Sequence, residues 1–317
     1  MFLDINANVA VIIVNFDGYA LTRDCLVSFA RVTDQRYVLI VVDNGSMDNS
    51  IPRLQQEFPQ VQYVRSEKNL GFTGGNNLGL AIAYKEGAKF VFFLNNDTVV
   101  AENIMELADF LDDNPDIGMV APLTFYHEVP EITSFGGGYL NRNTGRITFI
   151  NKGVQREQIP PGVIDCTFLE GAAIMARSDL VKRAGGFNDD YFLTSEESEL
   201  CIKVADMGYR LALLTSCSIW HKVSQTMGPG SELLNYFVYR NRLHFIRNNA
   251  KDFGLSDLGI IVRNYLVSFL SLLIKVRNLP AARGLVLGAV DFLRGVKGVG
   301  RYRQRLQPNQ SGGVPIS

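Results

Sequence analysis

Three short apolar runs in the first hundred residues each stop at a polar side chain, and this pattern limits the fold more than any other feature of the chain. Val9–Val14 ends at Asn15, Val38–Val42 at Asp43, and Phe90–Leu94 at Asn95, Asn96 and Asp97. Such β-branched and aromatic runs read as buried strands. Helical spacing follows them in Tyr19–Arg31, in Ser50–Phe58 and in an Ala-rich stretch that begins after Asn77 and reaches about Tyr84. Val61–Arg65 adds a strand, Glu102–Leu111 a helix, and Ile117–Ala121 reads as a fifth strand. The alternation predicts an α/β fold with a mostly parallel central sheet flanked by helices. In an open parallel sheet the C-terminal strand ends share one edge, where ligands bind. Asn and Asp also cap helices and form turns. Three of them at equivalent strand ends point to a site.

Two common nucleotide folds are excluded. The glycines of Gly71–Gly79 follow the third strand, whereas a dinucleotide fingerprint follows the first, and Asn15-Phe16-Asp17-Gly18 is not that fingerprint. No G-x-x-x-x-G-K-[ST] phosphate loop occurs.

The net charge of −1 gives no reason to expect a nucleic-acid partner, but it hides an asymmetry. From Arg240 to the end there are 13 Lys/Arg and 3 Asp/Glu; the rest holds 18 and 29. An acidic body with a basic, apolar tail fits a protein lying against an anionic surface. The four cysteines, Cys25, Cys166, Cys201 and Cys217, form no CxxC pair, which fits free thiols in a reducing cytosol. The N-terminal segment lacks signal-peptide character.

Taken in order, Val14-Asn15-Phe16, Asp43-Asn44-Gly45-Ser46, Asn69-Leu70-Gly71-Phe72 with Gly75-Asn76-Asn77, and Asn95-Asn96-Asp97-Thr98 resemble the family 2 (GT-A fold) glycosyltransferases. The likeness is greatest to their bacterial rhamnosyltransferase branch. It continues through Glu170–Arg177, Gly185–Asp189, Ser195–Cys201, Gly208–Arg210 and His221, and spans roughly Val9 to Asn249. The resemblance implies that Asp43 holds a uracil- or thymine-type base with the backbone around Asn15 nearby. It places Asn69, Gly71, Asn76 and Asn96 along the nucleotide and sugar. Asn95-Asn96-Asp97 would stand for the family's D-x-D motif and bind Mg²⁺ or Mn²⁺ on the diphosphate, with Asn95 replacing the first Asp. Such cations need few protein ligands when diphosphate and water supply the others. The family places a metal- or phosphate-contacting His near His221.

Sugar transfer needs charge stabilisation on the leaving diphosphate and a base for the acceptor hydroxyl. A base on the opposite face of the sugar gives inversion. The cluster Glu196-Glu197-Ser198-Glu199 supplies carboxylates. By resemblance Glu197 is at the base position, usually Asp, and Glu196 is the alternative. The same acids also suit the positive end of a helix, and their mutual repulsion would raise at least one pKa. Trp220 is either core or a wall of the acceptor site. Phe135–Gly138 and Lys152–Gly162 read as loops or a short hairpin over the acceptor side.

Leu233–Asn249 reads as an amphipathic helix in which Arg240 either neutralises an acid or phosphate, or edges a packing helix. Leu258–Val276 is nearly long enough to span a bilayer, but Arg263 and Asn264 interrupt it. An interfacial helix at an anionic membrane fits better, with an oligomerisation pair, and hence a homodimer, as the alternative. The expected organisation is a glycosyltransferase domain over 1–250, divided near 122 into a nucleotide-sugar half and an acceptor half. A basic helical extension over 251–306 and a disordered tail over 307–317 follow. The expected activity is inverting, metal-dependent transfer of a sugar such as rhamnose from dTDP-rhamnose to a glycan or lipid-linked acceptor. The expected place is the cytoplasmic side of the cell membrane, in cell-surface polysaccharide synthesis. A non-catalytic nucleotide-sugar or glycan-binding protein is the rival.

Overall fold

The computed structural model describes residues 8–222 and 230–307. The first apolar run is strand β1, Val9–Asn15, and it lies in the middle of the parallel part of the sheet. Strand β2, Tyr37–Asp43, pairs on one side of it, with β3, Gln62–Arg65, beyond; β4, Phe90–Asn95, pairs on the other. The register sets Asn15 beside Asp43 and Val14 beside Asn95, so the polar strand ends fall at one level. Helices α1, Tyr19–Ser28, α2, Ser50–Glu57, and α3, Gly71–Lys85, return the chain.

Helix α3 begins at Gly71, inside the segment expected to precede it. Glycine is a poor helix former, costing about 1 kcal/mol against Ala. The reason it is tolerated is close packing on β1. A Cβ on Gly79 would stand 2.4 Å from Ile12 Cγ2, and one on Gly75 would stand 2.8 Å from Val14 Cγ1.

The second half is mixed rather than parallel. Strand β5 is Thr98–Val100, helix α4 is Glu106–Asp113, and β6 is Ile117–Tyr126. Next come β7, Thr133–Phe135, and the hairpin of β8, Gly138–Asn141, and β9, Arg146–Phe149. Strands β10, Val163–Cys166, and β11, Ala173–Arg177, lead to helices α5, Ser178–Arg183, and α6, Glu196–Asp206, and to β12, Arg210–His221. Strand β11 is antiparallel to both β4 and β6 and joins the halves into one sheet, ordered β10-β12-β6-β11-β4-β1-β2-β3. Strand β6 runs straight through residue 122, so the expected division between halves falls inside a strand. One apolar layer lies under α1, α2 and α4, and another under α3, α5 and α6. All four cysteines are buried and unpaired.

Helices α7, Glu232–Asn249, α8, Leu255–Leu270, and α9, Leu279–Leu293, follow, with a π turn, Ser271–Lys275, extending α8. The expected boundary at 250 separates helices that pack tightly. A Cβ on Gly284 of α9 would lie 2.2 Å from the Glu232 carbonyl of α7, and one on Gly288 would lie 2.6 Å from that of Tyr236. Helix α8 is tethered to α7 by the Tyr265 hydroxyl, which donates to the Tyr239 carbonyl at 2.6 Å. Its apolar side chains nonetheless face outward: Leu258, Val262, Leu266, Val267 and Leu270 are all exposed, and Arg263 lies among them. Leu255–Lys275 is long and apolar enough to cross a membrane by length and composition, with a mean hydropathy of 1.6. The turn at Gly300–Tyr302 and a last helical turn, Arg303–Leu306, fold back on α7, where Val299, Tyr302 and Leu306 pack with Phe192, Leu233 and Phe237. The tail expected to be disordered lies outside the described residues from 308 onward.

Candidate active site

The ends of β1, β2 and β4 are braced by a polar network. Thr22 Oγ1 donates to Asn15 Oδ1 at 2.7 Å, Asn15 Nδ2 donates to Ser46 Oγ at 3.1 Å, and Asn96 Nδ2 donates to Thr22 Oγ1 at 2.9 Å. Gly18 makes room for this, since a Cβ there would stand 2.8 Å from Asn96 Nδ2. Asp43 is 1% exposed. Its Oδ1 accepts the Ser46 N–H at 2.9 Å, while Oδ2 lies 3.3 Å from Arg65 Nε and makes no hydrogen bond. A buried carboxylate oxygen left this way is costly unless something else donates to it.

Asn44, quoted in the Asp43–Ser46 motif without a role, is a structural residue. Its Nδ2 donates to Asn69 Oδ1 at 3.1 Å and to the Gly71 carbonyl at 3.0 Å, and its Oδ1 accepts the Leu70 N–H at 2.8 Å. It thereby clasps the start of α3 to the end of β2. Asn69 Oδ1 also accepts the Gly71 N–H. Gly71 has φ +74°, and a Cβ there would come within 2.1 Å of the Phe192 carbonyl. Asn76 is buried and returns its amide to the Phe72 carbonyl at 2.9 Å.

The next part of the rim is made by β5 and β12. Their antiparallel register sets His221 opposite Thr98, which brings His221 Nε2 to 3.1 Å from Asp97 Oδ1. Burial alone would lower the His221 pKa; the hydrogen bond and charge of Asp97, with the charge of Glu170, outweigh it and raise it. Asn95 ends β4 and its backbone N–H donates to the Ala172 carbonyl at 2.9 Å. Among the described residues, no group of three or more His, Cys, Asp or Glu is set to hold a metal by itself. The Asp97–His221 pair could contribute a carboxylate and an imidazole, leaving other positions to a ligand.

Glu170 was quoted in the sequence motif but not assigned a role. Its Oε2 is buried without a partner, and burial raises its pKa, with Asp97 adding to the rise. Gly171 next to it faces Glu197: a Cβ there would sit 3.8 Å from Glu197 Cβ and Cγ. Glu196 and Glu197 open α6. Burial, reinforced by Glu170, pushes the Glu197 carboxyl up to about 7. Glu196 is 4% exposed with an orphaned Oε2, and burial followed by the charge of Glu197 holds its pKa well above the usual range. Asp97, His221, Glu170 and Glu197 thus form one electrostatic neighbourhood.

The loop ahead of α6 is strained. Phe192, Thr194 and Ser195 have φ of 67°, 69° and 73°. Non-glycine residues held in this left-handed region cost about 1–3 kcal/mol each. Asn241 holds them: its Nδ2 donates to the carbonyls of Tyr191, Leu193 and Thr194 at 2.8, 2.6 and 3.2 Å. Arg240 corrects an expectation. It is fully buried, and its guanidinium donates to the carbonyls of Tyr191 and Gly298, to the Tyr236 hydroxyl and to Asn241 Oδ1. With its donors enclosed, it cannot meet an acceptor or phosphate; it anchors the loop. Trp220 donates its indole N–H to the Pro130 carbonyl at 3.2 Å and stacks on Phe125, half-buried at the edge of the apolar layer.

Residues 10–170 match the family model described as Glycosyl transferase family 2. The chain is 18% identical over 312 residues to the dTDP-rhamnosyl transferase RfbF of Shigella flexneri, covering 94% of this chain and 99% of that one. It is 23% identical over 232 residues to an N-acetylglucosaminyl-diphospho-decaprenol L-rhamnosyltransferase of Mycobacterium tuberculosis, covering 66% and 74%. Among solved structures, GalNAc-T7 with UDP, GalNAc and Mn²⁺ superposes with a TM-score of 0.64 at 14% identity, over 94% of this chain and 56% of that one. The mannosyltransferase PcManGT of Pyrobaculum calidifontis with GDP-Man and Mn²⁺ gives 0.57 at 14% identity, over 90% and 87%.

Proposed function

The chain belongs to glycosyl transferase family 2 and is a glycosyltransferase of GT-A fold, and on that premise we propose that it moves a deoxyhexose such as rhamnose, with inversion, from a dTDP-linked donor to a glycan or lipid-linked acceptor. What supports this reading is that the charge of Glu170 raises both the Glu197 carboxyl and the His221 imidazole, which links Glu197 to the Asp97–His221 pair. Asp43 Oδ2, which faces Arg65 Nε at 3.3 Å but accepts no hydrogen bond, suits the ring N–H of a thymine or uracil. The site accepts a divalent cation in kind: Asp97 and His221 offer oxygen and nitrogen donors, and few protein ligands suffice when a diphosphate provides the rest. Bound there, Mg²⁺ or Mn²⁺ supplies positive charge against the departing diphosphate.

Glu197 takes the proton of the acceptor hydroxyl. The acceptor oxygen bonds to C1 of the sugar, the bond from C1 to the diphosphate oxygen breaks, and its electron pair leaves with the diphosphate. Glu197 is preferred to Glu196 because it is partly exposed, while Glu196 is packed away. Asp97 and His221 hold the phosphate end, and Gly171 keeps space open beside the base.

Helix α8 supports a place at the membrane: its exposed apolar side chains rest in lipid, with the basic residues around Arg263 and Arg277 at the headgroups. On this reading the enzyme works at the cytoplasmic face of the membrane, within reach of a lipid-linked acceptor. Pairing of two copies through α8 is the competing use of that surface.

A screen of nucleotide-sugars for thermal stabilisation, with and without Mn²⁺ or Mg²⁺, tests the donor reading. Stabilisation by dTDP-rhamnose that needs the metal is expected. Equal indifference to every nucleotide-sugar would overturn it.

A further inference from the structure

The C-terminal segment reaches the donor side of the molecule. A cleft of about 530 Å³ opens beyond the ends of β1, β2 and β3, and its walls include Asp17, Glu67, Lys68 and Asn69 on one side and Arg305 and Gln307 on the other. These last two residues come from the end of the described chain, far in sequence from the strands they face.

Their position is pinned. Arg301 Nε donates to Asp291 Oδ2 at 2.8 Å, and Asp291 is 3% exposed. The Tyr302 hydroxyl donates to Glu232 Oε1 at 2.7 Å. Leu306 packs against the cluster of Phe192, Leu233 and Phe237. Gln307 Nε2 donates to the backbone carbonyl of Asn69. Ordering a chain end costs about 1–2 kcal/mol per residue in backbone entropy, so a segment held at four points is built into the fold.

Charge gives the segment a purpose. The β-strand side of the cleft presents two acids, Asp17 and Glu67, against one cation, Lys68. A nucleoside diphosphate is itself an anion, and a net negative wall repels it. Arg305 makes no ion pair among the described residues and brings the wall to balance. We propose that Arg305 is a donor-binding residue: the segment Gly300–Gln307 closes the nucleotide cleft, and Arg305 supplies the cation that lets the cleft accept a nucleoside diphosphate. This rests on the donor reading above and assigns to the helical extension a share in the donor site.

The test is calorimetric titration of the full chain with dTDP and with UDP in the presence of Mn²⁺, at two salt concentrations. Arg305→Ala should bind at least tenfold more weakly and lose part of the salt dependence. Arg305→Lys should retain most of the affinity. Arg303→Ala, on the same turn but outside the cleft, should match wild type. Unfolding curves of the variants would show that they are folded. If Arg305→Ala binds as well as wild type, or more tightly because the segment obstructs the cleft, the assignment is wrong while the donor reading stands. If wild type binds neither nucleotide, the donor reading fails and the assignment with it.

Discussion

Asp97 Oδ1 lies 3.1 Å from His221 Nε2, joining the end of β4 to the end of β12 across the middle of the molecule. Either side chain alone is a poor cation ligand; together they offer two. His221→Ala should therefore raise the Mn²⁺ concentration needed for half-maximal transfer by about tenfold or more. Asp97→Ala should leave little activity at any metal concentration. A metal titration of initial rates reads both.

Glu197 should set the acid limb of the rate profile. Its folded pKa of about 7 lies above that of an ordinary glutamate, so kcat should rise with pH up to about 7 and then level. The stability effect has the opposite direction. The folded chain keeps a proton that the unfolded chain gives up, so this carboxyl contributes stability at low pH that is lost as pH climbs from the usual carboxylate range through about 7. Glu197→Gln should lower kcat by roughly 10²–10⁴-fold with the donor Kd nearly unchanged. It should also flatten that part of the stability profile. Rates and urea melts at pH 5, 6, 7 and 8 check both.

Asn241→Ala would remove the side chain that holds three carbonyls of the loop before α6. A loss of about 2–4 kcal/mol in urea unfolding is expected, since each buried unpaired group costs about 1–3 kcal/mol. The surviving enzyme should show reduced kcat with little change in nucleotide affinity. An unchanged kcat would separate the strained loop from the placement of Glu197.

Gly71→Ala should act on the same loop from the other side, because the new methyl would press into the Phe192 carbonyl at a position where φ is +74°. Destabilisation of at least about 2 kcal/mol and a clear fall in transfer rate are expected. Gly87→Ala, also at positive φ but facing open space, gives the comparison without the clash.

Leu266→Glu combined with Leu270→Glu on the exposed face of α8 should reduce sedimentation with anionic vesicles while leaving the unfolding transition in place, because both side chains are at least half exposed. If vesicle binding is unaffected and the oligomeric state changes instead, α8 serves a second copy of the chain.

The strands that carry the rim were legible because β1, β2 and β4 are buried on both faces and therefore read as unbroken apolar runs. Their polar ends were legible for the same reason. Helix α3 began earlier than expected because glycine propensity argues against a helix, and only the contacts of Gly75 and Gly79 with Val14 and Ile12 make one favourable. The antiparallel insertion of β11 was not readable, since strand direction leaves no mark on strand composition. Strand β5 is too short to show a period. The role of Arg240 stayed open between binding and packing because an Arg among aromatics looks the same in sequence whether its partners are phosphates or carbonyls. Glu170 lies at no strand end, and only the fold brings it beside Glu197.

The glycine-mediated crossing fixes α9 on α7, and the Tyr265 hydroxyl ties the outward-facing α8 to the same helix at Tyr239. If α8 rests on lipid, the enzyme is held near the bilayer through that tether. It would then choose among acceptors partly by how far each one's reactive hydroxyl stands above the bilayer, a ruler that needs no side chain to recognise the sugar.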